Sequence, residues 1–262
     1  LFQYGEWCEF EIEMLSKVMR YGGTAIDVGA NIGTHSVALA KSATRIYAFE
    51  PQPRLYRLLT ANLALNGLQN VIPDQVAVGD KIGFIPMANL PPDEEIANFG
   101  ARPLAHEDRK DTESRIITVD YLGIAPTLIK IDVEGMECDV ISGAHRTIER
   151  HHPTLYLENN SFENSKNVAT ALDEIGYRAW WSLGGYFTPS NFFSNPVCIW
   201  IDNMAPSANL IAVPHGSGIT FDLPEFLGAD DVWWKAEKRG NGRMGASDIL
   251  AVQRDSNRAG ID

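Results

Sequence analysis

The segment Asp27-Val28-Gly29-Ala30-Asn31-Ile32-Gly33 sets a carboxylate directly ahead of a tight glycine turn. A glycine turn that opens a helix exposes bare backbone N–H groups and the positive end of the helix dipole to a ligand. Glycines 29 and 33 lack the G-x-G-x-x-G spacing of a dinucleotide site, and no G-K-[ST] marks a phosphate-binding P-loop. An acid at Asp27 suits a ligand carrying an ammonium group better than one carrying a pyrophosphate. Glu50 stands 23 residues after Asp27, near the ~20 at which an acid on the second strand meets ribose hydroxyls. Glu50 then either accepts from a 2′,3′-diol or only caps the helix that follows. Together the two features point to a ligand with both an amino-acid end and a ribose.

Two more acidic clusters follow apolar runs. Asp132 and Glu134 stand at the end of the run Leu128–Val133, and Glu158-Asn159-Asn160 after Thr154–Leu157. A carboxylate in such a place can take a proton from a hydroxyl. Oxygen donors of this type also suit Mg²⁺ or Ca²⁺ rather than zinc. Asp132, Glu158 and Asn159 are accordingly candidate ligands of a divalent cation, and Asp132, Glu134 and Glu158 the candidate bases if no metal takes part. Glu134 has a second possible role, holding its loop by accepting backbone N–H bonds, and Glu158 and Asn159 a second one in capping. Lys130, inside an apolar run, must be paired or snorkel, and a structural ion pair is expected. His35 either touches ligand or acceptor or packs on its helix; His145, His151 and His152 read as solvated.

The stretch Arg178 to Asn195 gathers tryptophan, tyrosine, phenylalanine, glycine and asparagine. Aromatic faces and amides are what a sugar ring requires, through stacking and paired hydrogen bonds. Trp181, Asn191 and Asn195 are the candidate acceptor contacts, with Asn191 to Asn195 as a lid. Trp180 and Trp181 are otherwise strand residues facing opposite ways. The excursion Pro86 to Arg115 is a second candidate cover for the same mouth.

These groups need elements to carry them. From Thr24 the chain alternates β-like and helix-like runs, the pattern of a parallel sheet with crossover helices. Helices are expected at Glu9–Met19, Thr34–Lys41, Pro53–Leu65, Glu137–Arg150 and Val168–Ile175. Strands are expected at Thr24–Val28, Arg45–Phe49, Val71–Val78, Ile116–Val119, Leu128–Val133, Thr154–Leu157, Tyr177–Trp181 and Val197–Ile201. Lys81 to Ser114 reads as a hairpin plus a long excursion. The expected division is an N-terminal helical segment over 1–22, a main domain over 23–205 and a partly ordered extension over 206–262.

Composition excludes several classes. The 262 residues are 45% hydrophobic and 21% charged, ordinary for a globular protein. A net charge of −12 repels phosphate backbones, and no basic patch offsets it, so a nucleic acid is not the expected partner. No run approaches the ~18 apolar residues of a membrane span, and Leu1 to Phe10 lack the order of a secretion signal. Cys8, Cys138 and Cys198 have no metal-ligand spacing, which points to a reducing, cytoplasmic setting. Nothing indicates the oligomeric state.

Three segments carry a family resemblance: Ala25-Ile-Asp-Val-Gly-Ala-Asn-Ile-Gly33, Phe49-Glu-Pro-Gln-Pro53 with Asn62-Leu-Ala-Leu-Asn66, and Leu128-Ile-Lys-Ile-Asp-Val-Glu-Gly-Met-Glu137. Across roughly Gly5 to Ile201 the chain resembles the FkbM-type methyltransferases. The resemblance implies an α/β, Rossmann-like class I methyltransferase fold. Its seven-stranded, mostly parallel sheet has an antiparallel last strand and helices on both faces. It implies S-adenosyl-L-methionine as cofactor, with Asp27, Gly29, Asn31, Gly33, Glu50, Pro51, Ala77, Asp132 and Val133 around it. It also implies O-methylation of a small-molecule, sugar or polyketide-like acceptor. The layout of Asp132 with Glu158 and Asn159 is similar to that of metal-dependent catechol-type O-methyltransferases, which is where Mg²⁺ enters. The competing expectations are N- or carboxyl-methylation, and a non-catalytic module that binds the same cofactor.

Overall fold

The computed structural model describes residues 3–87, 112–198 and 206–239. Helix α1 (Glu9–Val18) precedes β1 (Thr24–Val28), α2 (Thr34–Leu39), β2 (Arg45–Phe49) and α3 (Pro53–Leu65). Then come β3 (Val71–Asp74), β4 (Ala77–Val78), β5 (Gly83–Met87), β6 (Thr112–Ile117), α4 (Val119–Leu122) and β7 (Leu128–Ile131). The chain continues through α5 (Glu137–Gly143), α6 (His145–His151), β8 (Thr154–Glu158) and α7 (Phe162–Glu174). After these stand β9 (Tyr177–Gly184), β10 (Ser207–Pro214) and α8 (Trp233–Arg239).

The main sheet has seven strands in the order β3-β2-β1-β7-β8-β10-β9. β10 is antiparallel to both neighbours, β8 and β9, and the other pairs with assigned register are parallel. This is the expected class I methyltransferase sheet. Its central strands are buried on both faces, so β1 and β7 read as nearly continuous apolar runs. One face packs Ile26, Ile129, Leu155 and Leu210 beneath α5 and α7. The opposite face packs Ala25, Leu128, Tyr156 and Ile211 beneath α1, α2 and α3. Helix α3 starts with proline at its first position, where the missing N–H costs nothing, and buries Leu55, Leu59 and Leu63 at helical spacing. Helix α7 is capped by the Ser161 hydroxyl, which accepts from the Asn164 N–H at 3.1 Å.

Several boundaries differ from the sequence expectation. Val71–Val78 is not one strand: β3 joins the main sheet, whereas β4 joins a small second sheet in the order β4-β6-β5. The expected hairpin there is β5 against β6, and residues 88–111 of the excursion lie outside the described residues. Ile116–Val119 divides into the end of β6 and the start of α4, and the helix expected from Glu137 to Arg150 is split at Ala144. The largest correction concerns the final strand. It was expected at Val197–Ile201, but Val197 and Cys198 are not in a strand, and 199–201 lie outside the described residues. The antiparallel strand is Ser207–Pro214, which pairs with β9 over eight positions from Ser207↔Gly184 to Pro214↔Tyr177. A boundary at 206 therefore cuts through the sheet. Phe221, Val232 and Ala236 are also buried, so the residues after 206 supply core as well as a strand.

Candidate active site

Strands β1, β2 and β7 end side by side, and the turn after β1 is stitched between the other two. The N–H groups of Gly29 and Ala30 donate to the Phe49 carbonyl at 3.0 and 2.9 Å, and the Asp132 N–H donates to the Val28 carbonyl at 3.1 Å. Gly29 has φ +77°, and a Cβ there would lie 1.8 Å from the Asp132 carbonyl oxygen. Gly33 has φ +90°, and its Cβ would meet Leu59 of α3 at 2.6 Å. Both glycines are thus demanded by the chain's packing on itself, before any ligand is considered. Asn31 holds φ 53°, with its own side-chain oxygen accepting from the Ile32 N–H at 2.8 Å.

Glu50 is buried at the end of β2, beside Pro51. Its two oxygens accept from the Asn31 and Gln52 N–H groups, each at 2.8 Å. It therefore ties the turn to the second strand. Burial outweighs these bonds and pushes its carboxyl up to about 7. Asp27 is buried beneath the turn, accepting from the Ser36 hydroxyl at 2.6 Å and pairing with Lys130 at 3.2 Å. Lys130 reaches Asp132 at 3.3 Å as well, so the expected ion pair is present and bridges β1 to the end of β7. Burial opposes both charges. The carboxylates of Asp27 and Asp132 more than offset it for the lysine, and Lys130 with His35 and Ser36 does the same for Asp27. Val133 packs half-buried against the core, and Ala77 is buried in β4.

The structure brings Asp132, Glu134 and Glu158 together, one carboxylate oxygen of each lying within 4.8 Å of the others. Glu158 is pushed up to about 9 by burial and then by the charges of Asp132, Glu134 and Glu137. Burial, Asp132 and Glu137 raise Glu134 to about 7. Beside them opens a cavity of 390 Å³ lined by Glu134, Glu158, Asn160 and Asn164 among others. Of the metal ligands expected from sequence, Asp132 and Glu158 lie together with Glu134 in this cluster. Asn159 is 1% exposed and its amide nitrogen donates to the Ser165 hydroxyl at 2.8 Å, while its amide oxygen is buried with no hydrogen-bond partner among the described residues. The backbone-holding role considered for Glu134 belongs to Glu137, which accepts from the Val133 and Gly135 N–H groups at 3.3 and 3.1 Å.

Of the expected acceptor contacts, Trp181 is a correction. It is fully buried, and its indole N–H donates to Asp231 at 2.9 Å, so no acceptor can reach it. Trp180 faces the opposite layer, as alternation along a strand requires. Asn191 is buried and turns inward, donating to the Thr188 and Asn195 carbonyls at 2.8 and 2.7 Å. Asn195 donates to the Gln3 carbonyl at 3.1 Å. Both asparagines order the loop between β9 and β10 and fasten it to the chain's beginning.

Glu11 was not singled out from sequence. It is fully buried in α1, where one oxygen accepts from Cys8, Ser207 and Asn209 and the other meets His35 at 2.9 Å. Burial opposes its charge, but these partners, His35 foremost, hold the carboxyl below its usual range. This knot joins α1, the helix after the glycine turn, and β10. Tyr186, within the aromatic stretch but not singled out, meets Trp7 ring to ring at a 52° tilt with centroids 5.4 Å apart and stands close enough to Glu158 to feel its charge. Apart from Cys8, the partners of Glu11 lie far along the chain, so no local signal marks its role.

A seven-stranded sheet of this order, with an acid-flanked glycine turn at the end of its first strand, defines a class I methyltransferase. A family model described as the methyltransferase FkbM domain matches residues 27–179, and the chain belongs to that family. It is 30% identical over 153 residues to the hexuronic acid methyltransferase AglP of Haloferax volcanii, an alignment covering 56% of this chain and 60% of that protein. It is 30% identical over 152 residues to the methyltransferase sdnD of Sordaria araneosa, covering 45% of this chain and 59% of that one. The chain thus spans about three-fifths of the length of these curated relatives. The FkbM methyltransferase structure from Methylobacillus flagellatus KT superposes with a TM-score of 0.48 at 18% identity, over 72% of this chain and 43% of the other. The family's use of S-adenosylmethionine suits the residues at the turn. Asp27 is turned inward to Ser36 and Lys130, whereas each Glu50 oxygen accepts a single backbone N–H and keeps a lone pair that a diol would use.

Proposed function

We propose that this methyltransferase methylates a hydroxyl oxygen of a small-molecule or glycan acceptor, with Glu158 as the base. S-adenosylmethionine, when bound, supplies an electrophilic methyl group on a sulfonium. The Gly29–Gly33 turn, Asp27, Glu50, Pro51, Ala77 and Val133 would hold that cofactor, with Asp132 between it and the acceptor. The carrying observation is the crowding of Glu158 against Asp132 and Glu134 beside an open cavity. With the Glu158 carboxyl pushed up to about 9, its ionised form is a stronger base than an ordinary glutamate and becomes populated as pH rises toward that value, so methyl transfer is expected to quicken with rising pH. Lys130 keeps Asp132 in place while Glu158 takes the proton. The chain's net charge supports a non-nucleic-acid acceptor, and its cysteine usage a cytoplasmic setting.

A second reading follows from the relative named for hexuronic acid, because a uronate offers a carboxylate beside its hydroxyls. An anionic acceptor is disfavoured beside the Asp132, Glu134 and Glu158 cluster, increasingly so as Glu134 and Glu158 ionise with rising pH, and it would need no base. The experiment uses labelled S-adenosylmethionine with a panel of alcohols, neutral sugars and uronates, and locates the methyl group by mass spectrometry. An alkali-stable ether, absent with Glu158→Gln, supports the hydroxyl reading. An alkali-labile ester, or transfer to nitrogen, overturns it. Preference for NAD over S-adenosylhomocysteine in a titration would remove the cofactor assignment altogether.

A further inference from the structure

A second groove lies outside the carboxylate cluster. It has a volume of 1190 Å³ and is lined by residues of α1, α2 and α3. Gly33 and Thr34, where the glycine turn meets α2, and Gly185, just after β9, belong to its lining. There Gly184 pairs with Ser207, and two residues along β10 Asn209 pairs with Glu158. The groove and the Glu158 cavity thus meet the same strand-end side of the sheet from its two faces, the groove with α1–α3 and the cavity with α7. The groove's volume is about threefold that of the cavity beside Glu158 and exceeds the ~300–1,000 Å³ typical of a single small-ligand pocket.

Its lining combines aromatic rings and polar groups with aliphatic side chains such as Ile12, Val37 and Leu68. Trp7, Phe187 and Phe192 supply rings, while Asn62, Asn66 and Thr188 supply amides and a hydroxyl. Phe192 is 78% exposed, yet its position is held from both sides. Its N–H donates to Glu6 at 2.7 Å, and the next N–H, of Phe193, donates to the Tyr4 carbonyl at 3.1 Å. An exposed ring on a hydrogen-bonded rim is pre-organised for a flat partner and adds nothing to the core. A purely apolar groove would suit a helix; this mixture suits a ring with one C–H face and a polar rim. The charge is one-sided, with Glu6, Glu9 and Glu13 against Lys41. Burial and the neighbouring Glu6 and Glu13 already raise the Glu9 carboxyl.

We propose that this flank groove binds the part of a glycan chain that follows the methylated unit, and that those following sugars are neutral or amino sugars rather than uronates. This rests on the hydroxyl-acceptor reading above and deepens it: the acceptor is an oligosaccharide, and the groove sets which neighbours it tolerates. The methylated unit itself is governed by the cavity at Glu158 and is not restricted by the groove.

The test is binding of defined oligosaccharides to the whole protein in the presence of S-adenosylhomocysteine. The series are neutral cello- and malto-oligosaccharides, glucosamine oligomers and oligogalacturonates of increasing length. Affinity is expected to rise with chain length in the neutral or amino series and to fall roughly tenfold in Phe192→Ala, about one lost stacking contact. The double variant Glu9→Gln/Glu13→Gln should admit the uronate series. Length-independent binding, equal binding of uronates by the unaltered protein, or no response to Phe192→Ala each overturns the proposal. So does retention of a basic peptide in place of every oligosaccharide. If a short hydroxyl acceptor is methylated while no oligosaccharide binds, only the groove proposal fails. If S-adenosylhomocysteine does not bind, the reading beneath it fails first.

Discussion

The two halves of the sheet make their sites by different means. On the β1–β2–β7 side, Asp27, the glycine turn, Glu50 and Lys130 belong to three compact segments, and most of their bonds join neighbouring strand ends. On the β8–β10–β9 side, Glu11 reaches Ser207 and Asn209, 196 and 198 positions away, and Phe192 reaches Glu6 across 186. The first half is a preformed cradle whose shape follows from local chain packing. The second exists only when the chain's beginning and the segment after 206 meet. On the proposed function, donor specificity would reside in the part that is locally encoded and acceptor specificity in the part assembled from distant segments, where it can vary without disturbing the cradle.

The largest expected effect separates the halves by activity. Glu158→Gln should lower kcat by roughly 10²–10⁴, the usual worth of a positioned base, while the S-adenosylmethionine Kd stays within about twofold. Retained kcat would remove the base from β8; if exhaustive chelation then abolished activity, a cation held by Asp132, Glu134 and Glu158 would replace it. Next comes Glu11→Ala, which strands the donors of His35 and Asn209 in the interior. A loss of ~3–5 kcal/mol is expected from denaturant midpoints, as for breaking a buried charge pair. A variant as stable as the parent would show that the long-range knot does not hold the second half together. Glu50→Ala should weaken cofactor binding by about tenfold or more, since a charge-assisted hydrogen-bond pair is lost. Its effect on kcat at saturating cofactor should be small, and a titration with parallel kinetics would reveal the opposite.

The same division governs what could be read from the amino-acid sequence. Pro53–Leu65 was legible to the residue, because a proline start and leucines at helical spacing are local signals. The parallel sheet with crossover helices followed from the β–α alternation, and its seven strands with an antiparallel last one from the family resemblance; the strand order itself is visible only in the structure. The antiparallel strand was misplaced because Val197–Ile201 is as apolar as Ser207–Pro214. Only pairing to β8 and β9 distinguishes them, and pairing is not a local property. Trp181 was misjudged for a related reason: its buried partner Asp231 lies 50 positions on, itself held by Arg239 at 2.5 Å. The carboxylate cluster was legible as strand-end acids. That Glu134 joins it goes with a positive φ of 52° at Glu134, which the spacing of strand-end acids does not reveal.

The smallest expected effect is on stability against pH, and it tests whether the acceptor-side carboxylates are strained as their crowding implies. Glu134 and Glu158 have carboxyls raised to about 7 and about 9. The folded chain therefore holds protons that the unfolded chain releases in the ordinary glutamate range. Stability from these two groups is fully present at low pH and is lost as pH rises from that range through about 7 and then about 9. Glu158→Gln removes the larger part of that loss, so its Tm should exceed the parent's by at least ~2 °C near pH 8.5, about 1 kcal/mol for a domain of this size. Near pH 5 the two should melt together. Glu50→Gln should behave similarly but over a narrower span, ending near 7. Because a cationic ligand relieves the same repulsion, S-adenosylmethionine should stabilise the parent more than S-adenosylhomocysteine, and increasingly so as pH rises. Identical melting of parent and Glu158→Gln across this range would mean that the carboxylate is hydrated rather than strained, and the case for it as an unusually strong base would go with it.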